Sequence, residues 1–264
     1  MLRAVDYGEA DRVVTLLGRS TGCVGAMARG ARKSQRRFGG GLGLCSRGEA
    51  VMRERGGAEL LTLETFEVAK SYPSLGSDVE RMGHAAYAAE LVTKLCAPRQ
   101  AEPGIFDLMT VFLDGLETDG VHEMRLRIFE LGLLERLGFA PALEACAVCG
   151  RRDLSTGDNI DVRFLPDQGG VVCRGCASRG RPMRSSVRLA LAALARTGLD
   201  RSETPPDGPG GASRGFPVLP PDVARGCREA LHELIAGHLS APLRSLDFLA
   251  KTESARALAA RGTS

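Results

Sequence analysis

No aspartate or glutamate occurs between Arg12 and Gly48, although eight arginines and lysines lie in that interval. A surface that mixes signs only for solubility seldom goes so far without one acid, so this gap points to an anionic partner. Also missing is any uninterrupted apolar run of 18 residues, which excludes a membrane-spanning helix. The opening residues, Met1 to Glu9, lack the apolar stretch of a secretory signal, and the chain is expected to be soluble, unexported and cytoplasmic. Eight cysteines in 264 residues are too few for a disulfide scaffold, and in a reducing compartment they read as metal ligands and small buried hydrophobes.

Enzymatic signatures are equally scarce. There is neither a Gly-x-x-x-x-Gly-Lys-Ser/Thr phosphate loop nor a Gly-x-Ser-x-Gly nucleophile elbow. His84, His122, His232 and His238 lie far apart, and none has a second ligand-type residue at metal spacing. The nearest cluster of carboxylates, Asp6, Glu9 and Asp11, reads as the shaping of a turn and not as a magnesium site. A catalytic role is not expected.

What is present begins with charge. Residues 1–72 hold 12 basic and 8 acidic side chains, a net +4, against 23 basic and 24 acidic in residues 73–264. Five of the cations fall in Arg29-Gly-Ala-Arg32-Lys33-Ser-Gln-Arg36-Arg37, closed by Phe38 and three glycines. Such a segment suits a phosphate backbone, with Arg12 and Arg19 extending the track and Phe38 stacking on an unpaired base. The competing reading is a solvated loop.

Length and composition allow one or two domains. Residues 2–6, 12–17, 22–29, 49–54 and 59–68 read as five short strands separated by glycine-rich turns, including Arg55-Gly56-Gly57. Five strands over this length fit a small barrel of the OB type, although an SH3-like barrel reads the same, and the long basic connection after the third strand favours the former. Ser77-Asp-Val-Glu80 then reads as a capping box opening a helix to Cys96. Further helices are predicted over 103–116, 121–137, 184–196 and 222–239, and from Pro242 toward Arg261. The helix over 121–137 is apolar around much of its circumference and reads as central. Residues 200–221, with six prolines and four glycines, read as a mobile insertion.

The strongest chemical motif is Cys146-Ala-Val-Cys149 with Cys173-Arg-Gly-Cys176, two Cys-x-x-Cys knuckles. Four soft thiolates at this spacing favour one tetrahedral Zn²⁺. Four protein ligands leave no position open for water, so the ion is expected to be structural. Cys23, Cys45, Cys96 and Cys227 read as buried hydrophobes.

Six segments together resemble the bacterial RecO recombination mediators: Leu2 to Arg12, Ala28 to Gly40, Phe129 to Pro141, Cys146 to Cys149, Gly169 to Cys173 and Pro242 to Ser245. The resemblance implies an α+β multidomain chain: an OB-fold DNA-binding domain at 1–73, a helical domain at 74–145 and 182–264, and a zinc-binding insertion at 146–181. It further implies a non-enzymatic protein that binds single- and double-stranded DNA and anneals complementary strands. RecR is its implied partner in helping RecA replace single-strand-binding protein, with RecF a further candidate. For the acidic, apolar-ended tail of single-strand-binding protein, Arg127 beside Phe129-Glu-Leu is the candidate docking cation, with Arg125 and Arg136 as neighbours. Members of the family begin several residues before the Leu-Arg-x-x-Asp-Tyr-Gly-Glu block, so the opening strand is expected to lack its first half. The alternatives from other classes are a zinc-ribbon RNA-binding or transcription-associated protein, and a metal-dependent nuclease.

Overall fold

A computed structural model describes residues 1–38, 42–54, 56, 60–154, 162–199 and 216–249. The glycine run after Phe38, most of the predicted turn at 55–57, the greater part of the 200–221 insertion and the end of the last helix lie outside the described residues. The chain divides into two compact units, residues 1–121 with 243–264, and residues 122–242. Residues 79–119, expected in the helical domain, fall in the first of these units.

In the first unit, β1 (Arg3–Tyr7), β2 (Asp11–Gly18), β3 (Gly22–Ala28), β4 (Arg47–Arg53) and β5 (Leu61–Lys70) form one sheet in the order β1-β2-β3-β5-β4. All neighbours are antiparallel except β3 and β5, which run parallel through Ala26↔Leu61 and Met27↔Thr62. Period-two alternation sets the inner face. Val14, Leu16, Val24, Ala26 and Ala28 turn inward with Leu63 and Phe66, while Val13, Thr15 and Met27 face out. No ladder joins β1 to β4 among the described residues, so the sheet is open and barrel-like. Met1 spans the opening: its backbone nitrogen donates to the Ser46 carbonyl at 2.6 Å, and Cys45 N–H donates to the Met1 carbonyl at 2.8 Å. This is an OB-like arrangement.

The basic connection is not an open loop throughout. Residues 35–38 make one helical turn, α1 (Gln35–Phe38), and its last side chain enters the core. After β5 come α2 (Pro73–Ser77), α3 (Val79–Leu95) and α4 (Pro103–Asp119). The cap of α3 is Asp78, not Ser77. Its carboxylate accepts from the N–H groups of Glu80 and Arg81, and Ser77 instead ends α2. Polar contacts tie this helical layer to the sheet: Lys70 Nζ and Tyr72 OH both donate to Asp114 Oδ1 at 2.7 Å. Residues 244–249 are helical, and Glu90 of α3 caps that turn by accepting from the N–H groups of Arg244 and Ser245.

The second unit contains α5 (Glu123–Arg136), β6 (Val162–Leu165), β7 (Gly170–Cys173), β8 (Arg181–Met183), α6 (Ser185–Thr197) and α7 (Pro221–Gly237). As expected from its apolar circumference, α5 is central, with Met124, Leu126, Ile128, Phe129, Leu131, Leu133 and Leu134 all buried. α6 and α7 are amphipathic and bury stripes such as Val187, Leu191 and Leu194, and Cys227, Leu231 and Leu234. The three strands form a small antiparallel sheet in the order β7-β6-β8.

Candidate metal centre and nucleic-acid interface

The two cysteine knuckles meet at this small sheet. Cys173 ends β7, and the N–H of Ala147 donates to the Val171 carbonyl at 2.8 Å, which lays the first knuckle alongside that strand. Gly170 sits at φ 151 against Ala142, where a Cβ would come within 2.3 Å of the Ala142 carbonyl oxygen, so only glycine allows this approach. Within the knuckles Gly150 N–H donates to the Cys146 carbonyl and Cys176 N–H to the Cys173 carbonyl, closing each into a tight turn. The result gathers Cys146, Cys149, Cys173 and Cys176, whose sulfur atoms all lie within 4.8 Å of one another.

That geometry fits a metal ion. Tetrahedral zinc with bonds near 2.3 Å places its sulfurs about 3.8 Å apart, and Cys149 Sγ and Cys173 Sγ are 3.8 Å apart. The Cys173 N–H also points at Cys146 Sγ, at 3.3 Å. Burial pushes the Cys146 thiol up, but the backbone N–H groups of Cys149, Cys173 and Val148 more than offset it, leaving the group at about 6. Those donors favour the Cys146 thiolate, the form in which a cysteine binds metal, whereas Cys176 is pushed up to about 12 by its neighbours Cys173 and Cys149. Cys23, Cys45 and Cys227 are buried as expected, while Cys96 is half-buried.

The basic segment is docked on the turn between β1 and β2. Gly30, at φ 67, donates its N–H to Asp11 Oδ1 at 2.7 Å, and the Arg32 N–H donates to the Ala10 carbonyl at 3.0 Å. The positive φ is what lets the chain turn into the carboxylate. Arg12 Nε donates to Asp6 Oδ1 at 2.8 Å, Arg32 Nε lies 3.6 Å from Asp6 Oδ2, and the Arg12 hydrogen bond, helped by Arg32, holds the Asp6 carboxyl below its ordinary value. Arg37 Nη2 donates to the Arg29 carbonyl at 2.6 Å, with Arg29, Lys33 and Arg37 all exposed. The structure thus brings Arg12, Arg29, Arg32, Lys33 and Arg37 to one end of the sheet. Of Arg36 only the backbone is described.

Burial overturns two expectations and pairing places a third residue elsewhere. Phe38 is 2 % exposed and packs in the core with Val14 and Leu63, so no base can stack on it. Its sequence position beside five cations gave no sign of which way α1 would turn it. Arg19 stands apart from the cluster, in the β2–β3 turn, clamped on Asp107 through two hydrogen bonds at 2.7 and 3.0 Å. Arg127, 2 % exposed, and Arg125, 4 % exposed, are enclosed within the second unit and are not surface docking cations. Arg127 Nη1 pairs with Glu130 Oε2 at 3.1 Å and lies 3.4 Å from His232 Nε2, while the Arg125 guanidinium stands 5.0 Å from the Phe216 ring centre. Arg136 is half-buried and donates to the Gly132 carbonyl.

A sequence model of "Recombination protein O N terminal" matches residues 1–72, and one of "Recombination protein O C terminal" matches residues 76–247. The chain belongs to the RecO family. Similar relatives are the DNA repair protein RecO of Anaeromyxobacter sp. (strain K), 40% identical over 252 residues, covering 94% of this chain and 93% of the relative, and that of Geobacter sulfurreducens, 35% identical over 252 residues, covering 94% of each. The boundary between the two RecO regions falls where β5 ends and α2 begins. Among the described residues of this RecO-family chain, no helix is long and apolar enough to cross a membrane.

Proposed function

We propose that this chain is a non-enzymatic recombination mediator that grips single- and double-stranded DNA by its phosphate backbone. The observation that carries the reading is the docking of the 30–37 segment on the β1–β2 turn of an OB-like sheet. Arg29, Arg32, Lys33, Arg36 and Arg37 meet successive phosphates, with Arg12 supporting them through Asp6. Contacts to phosphate alone leave base edges free to pair, which is what annealing of complementary strands requires. Membership of a family of DNA repair proteins supports the same reading.

The finer assignment is of a cytoplasmic, nucleoid-associated protein that works with RecR, and in some settings RecF, to let RecA replace single-strand-binding protein. Arg136 is left as the cation for docking the tail of that protein, since Arg125 and Arg127 are enclosed. The four cysteines would hold one structural Zn²⁺, whose closed coordination stabilises residues 146–181 and activates no water. In domain terms, 1–73 is the DNA-binding module, with 74–145 and 182–264 as the helical body and 146–181 as its zinc insertion.

The test is annealing of complementary strands coated with single-strand-binding protein, with and without RecR. Faster annealing that is lost on charge reversal at Arg36 and Arg37 supports the proposal; a rate equal to the spontaneous one refutes it.

A further inference from the structure

Residues 1–72 contain four aromatic side chains, Tyr7, Phe38, Phe66 and Tyr72. Three of these are buried, and Tyr7 alone is open, with 60% of its surface exposed. Tyr7 ends β1, and every residue of that strand is exposed. On the pleat Arg3, Val5 and Tyr7 share one face, paired across to Thr15, Val13 and Asp11 of β2. Val5 is 42% exposed beside the ring, so the face offers an apolar strip with a cation at one end and an aromatic at the other.

This strip adjoins the basic segment. Gly8 follows Tyr7 directly, and the guanidinium of Arg32 contacts the carbonyls of Gly8 and Glu9 at 3.5 and 3.3 Å. Residues 3 and 7 are about 13 Å apart along the strand. Arg12 and Arg32 pair with Asp6, which alternates to the opposite face of β1, so a single strand passes from those cations to Arg3 and Tyr7 by rounding the open edge of β1. Among the described residues no β-ladder covers the far edge of β1, which is hydrogen-bonded as a strand to β2 alone. Bases of a single strand present flat π-faces that need an exposed ring, and Phe38 cannot provide one.

Resting on the backbone-gripping role proposed above, we infer that the Arg3–Val5–Tyr7 face of β1 is a subsite for single-stranded nucleic acid, where Tyr7 stacks on an unpaired base and Arg3 meets a phosphate. The subsite gives a preference that the cations lack. Duplex bases are already stacked on each other, so Tyr7 contributes to single strands and not to duplex.

The sequence provides a clean probe, because the chain has no tryptophan and only three tyrosines. Tyr72 and Tyr87 are buried, at 7% and 0% exposure. Full-length Tyr7→Trp protein therefore carries a single tryptophan, at the proposed contact. Titration with oligo-dT should quench its emission, and Tyr7→Ala should weaken oligo-dT binding about 5- to 100-fold, with Tyr7→Phe close to wild type. Duplex affinity and the thermal midpoint of Tyr7→Ala should be unchanged. Wild-type oligo-dT affinity in Tyr7→Ala, an equal loss for duplex and single strand, or unquenched tryptophan emission from the Tyr7→Trp protein at saturation would each overturn the subsite while leaving backbone gripping intact. Capture of an extended peptide on β1 without oligo-dT binding at Tyr7 would likewise replace it. Absence of all DNA binding by the wild-type protein would remove both readings together.

Discussion

Arg19 grips Asp107 with both terminal guanidinium nitrogens, at 2.7 and 3.0 Å, and so turns an apparent member of the cationic track into a tie between the β2–β3 turn and α4. An exposed pair of this kind adds little stability, about 0–1 kcal/mol, but it does neutralise the cation. Arg19→Ala should therefore leave affinity for oligo-dT within about twofold of wild type, while Lys33→Ala removes one phosphate contact and lowers the salt slope by ~0.7. Filter binding over a salt series distinguishes the two. A loss for Arg19→Ala equal to that for Lys33→Ala would mean the Asp107 clamp opens for DNA.

Phe38 fills the end of the sheet core beside Leu42 and Leu63. Phe38→Ala should lower stability by about 3–5 kcal/mol, the range for a buried ring, visible as a fall in the denaturant midpoint. Phe38→Leu should restore much of that loss. A surface stacking ring would give no change in stability.

Removal of metal is a third test. If four thiolates close on one ion, mild treatment with a strong chelator or Cys146→Ser should unfold residues 146–181, since metal-linked folding is worth about 10–16 kcal/mol in zinc peptides. Limited proteolysis between Cys146 and Cys176, together with metal analysis of one ion per chain, reads this out. Oligo-dT binding by the N-terminal sheet should persist. Resistance of the chelated protein to protease would contradict a structural metal.

The charge buried in the second unit predicts a pH dependence. His232 is held down at about 4 by burial first and then by Arg127 and Arg228, with the Glu130 carboxylate 4.0 Å away as the opposing charge. Its folded value lies below the ordinary 6.5 of an unfolded histidine, so the unfolded state binds the proton first. Stability of this unit should be complete above about pH 6.5 and decline as pH falls toward 4. His232→Gln should flatten that decline in thermal melts. Separately, Arg127→Ala should cost about 3–5 kcal/mol, because it strands the buried Glu130 carboxylate.

Much of this architecture was legible from residue patterns, and the failures share one cause. The five strands followed from short β-rich runs separated by glycine turns, a local property. The metal cluster followed from spacing alone. What local pattern could not show was tertiary pairing. Asp6 and Asp107 lie outside the acid-free interval yet fold back onto Arg12 and Arg19, and Glu130 draws Arg127 into the interior one helical turn away. Phe38 enters the core and Tyr7 stays exposed because the direction of a side chain at the end of α1 or β1 depends on the core it meets. A rule that seeks an aromatic in a cation run selects Phe38. A rule that asks which ring the core leaves over selects Tyr7.

The central claim is that residues 29–37, docked on the β1–β2 turn, hold nucleic acid by its backbone. Measuring oligo-dT affinity from low to high salt tests it most directly. With about five phosphate contacts, log K should fall against log salt with a slope near −3.5, shrinking by ~1.4 when Arg36 and Arg37 are both replaced by alanine. A slope near zero, or one that the double replacement leaves unchanged, would contradict it.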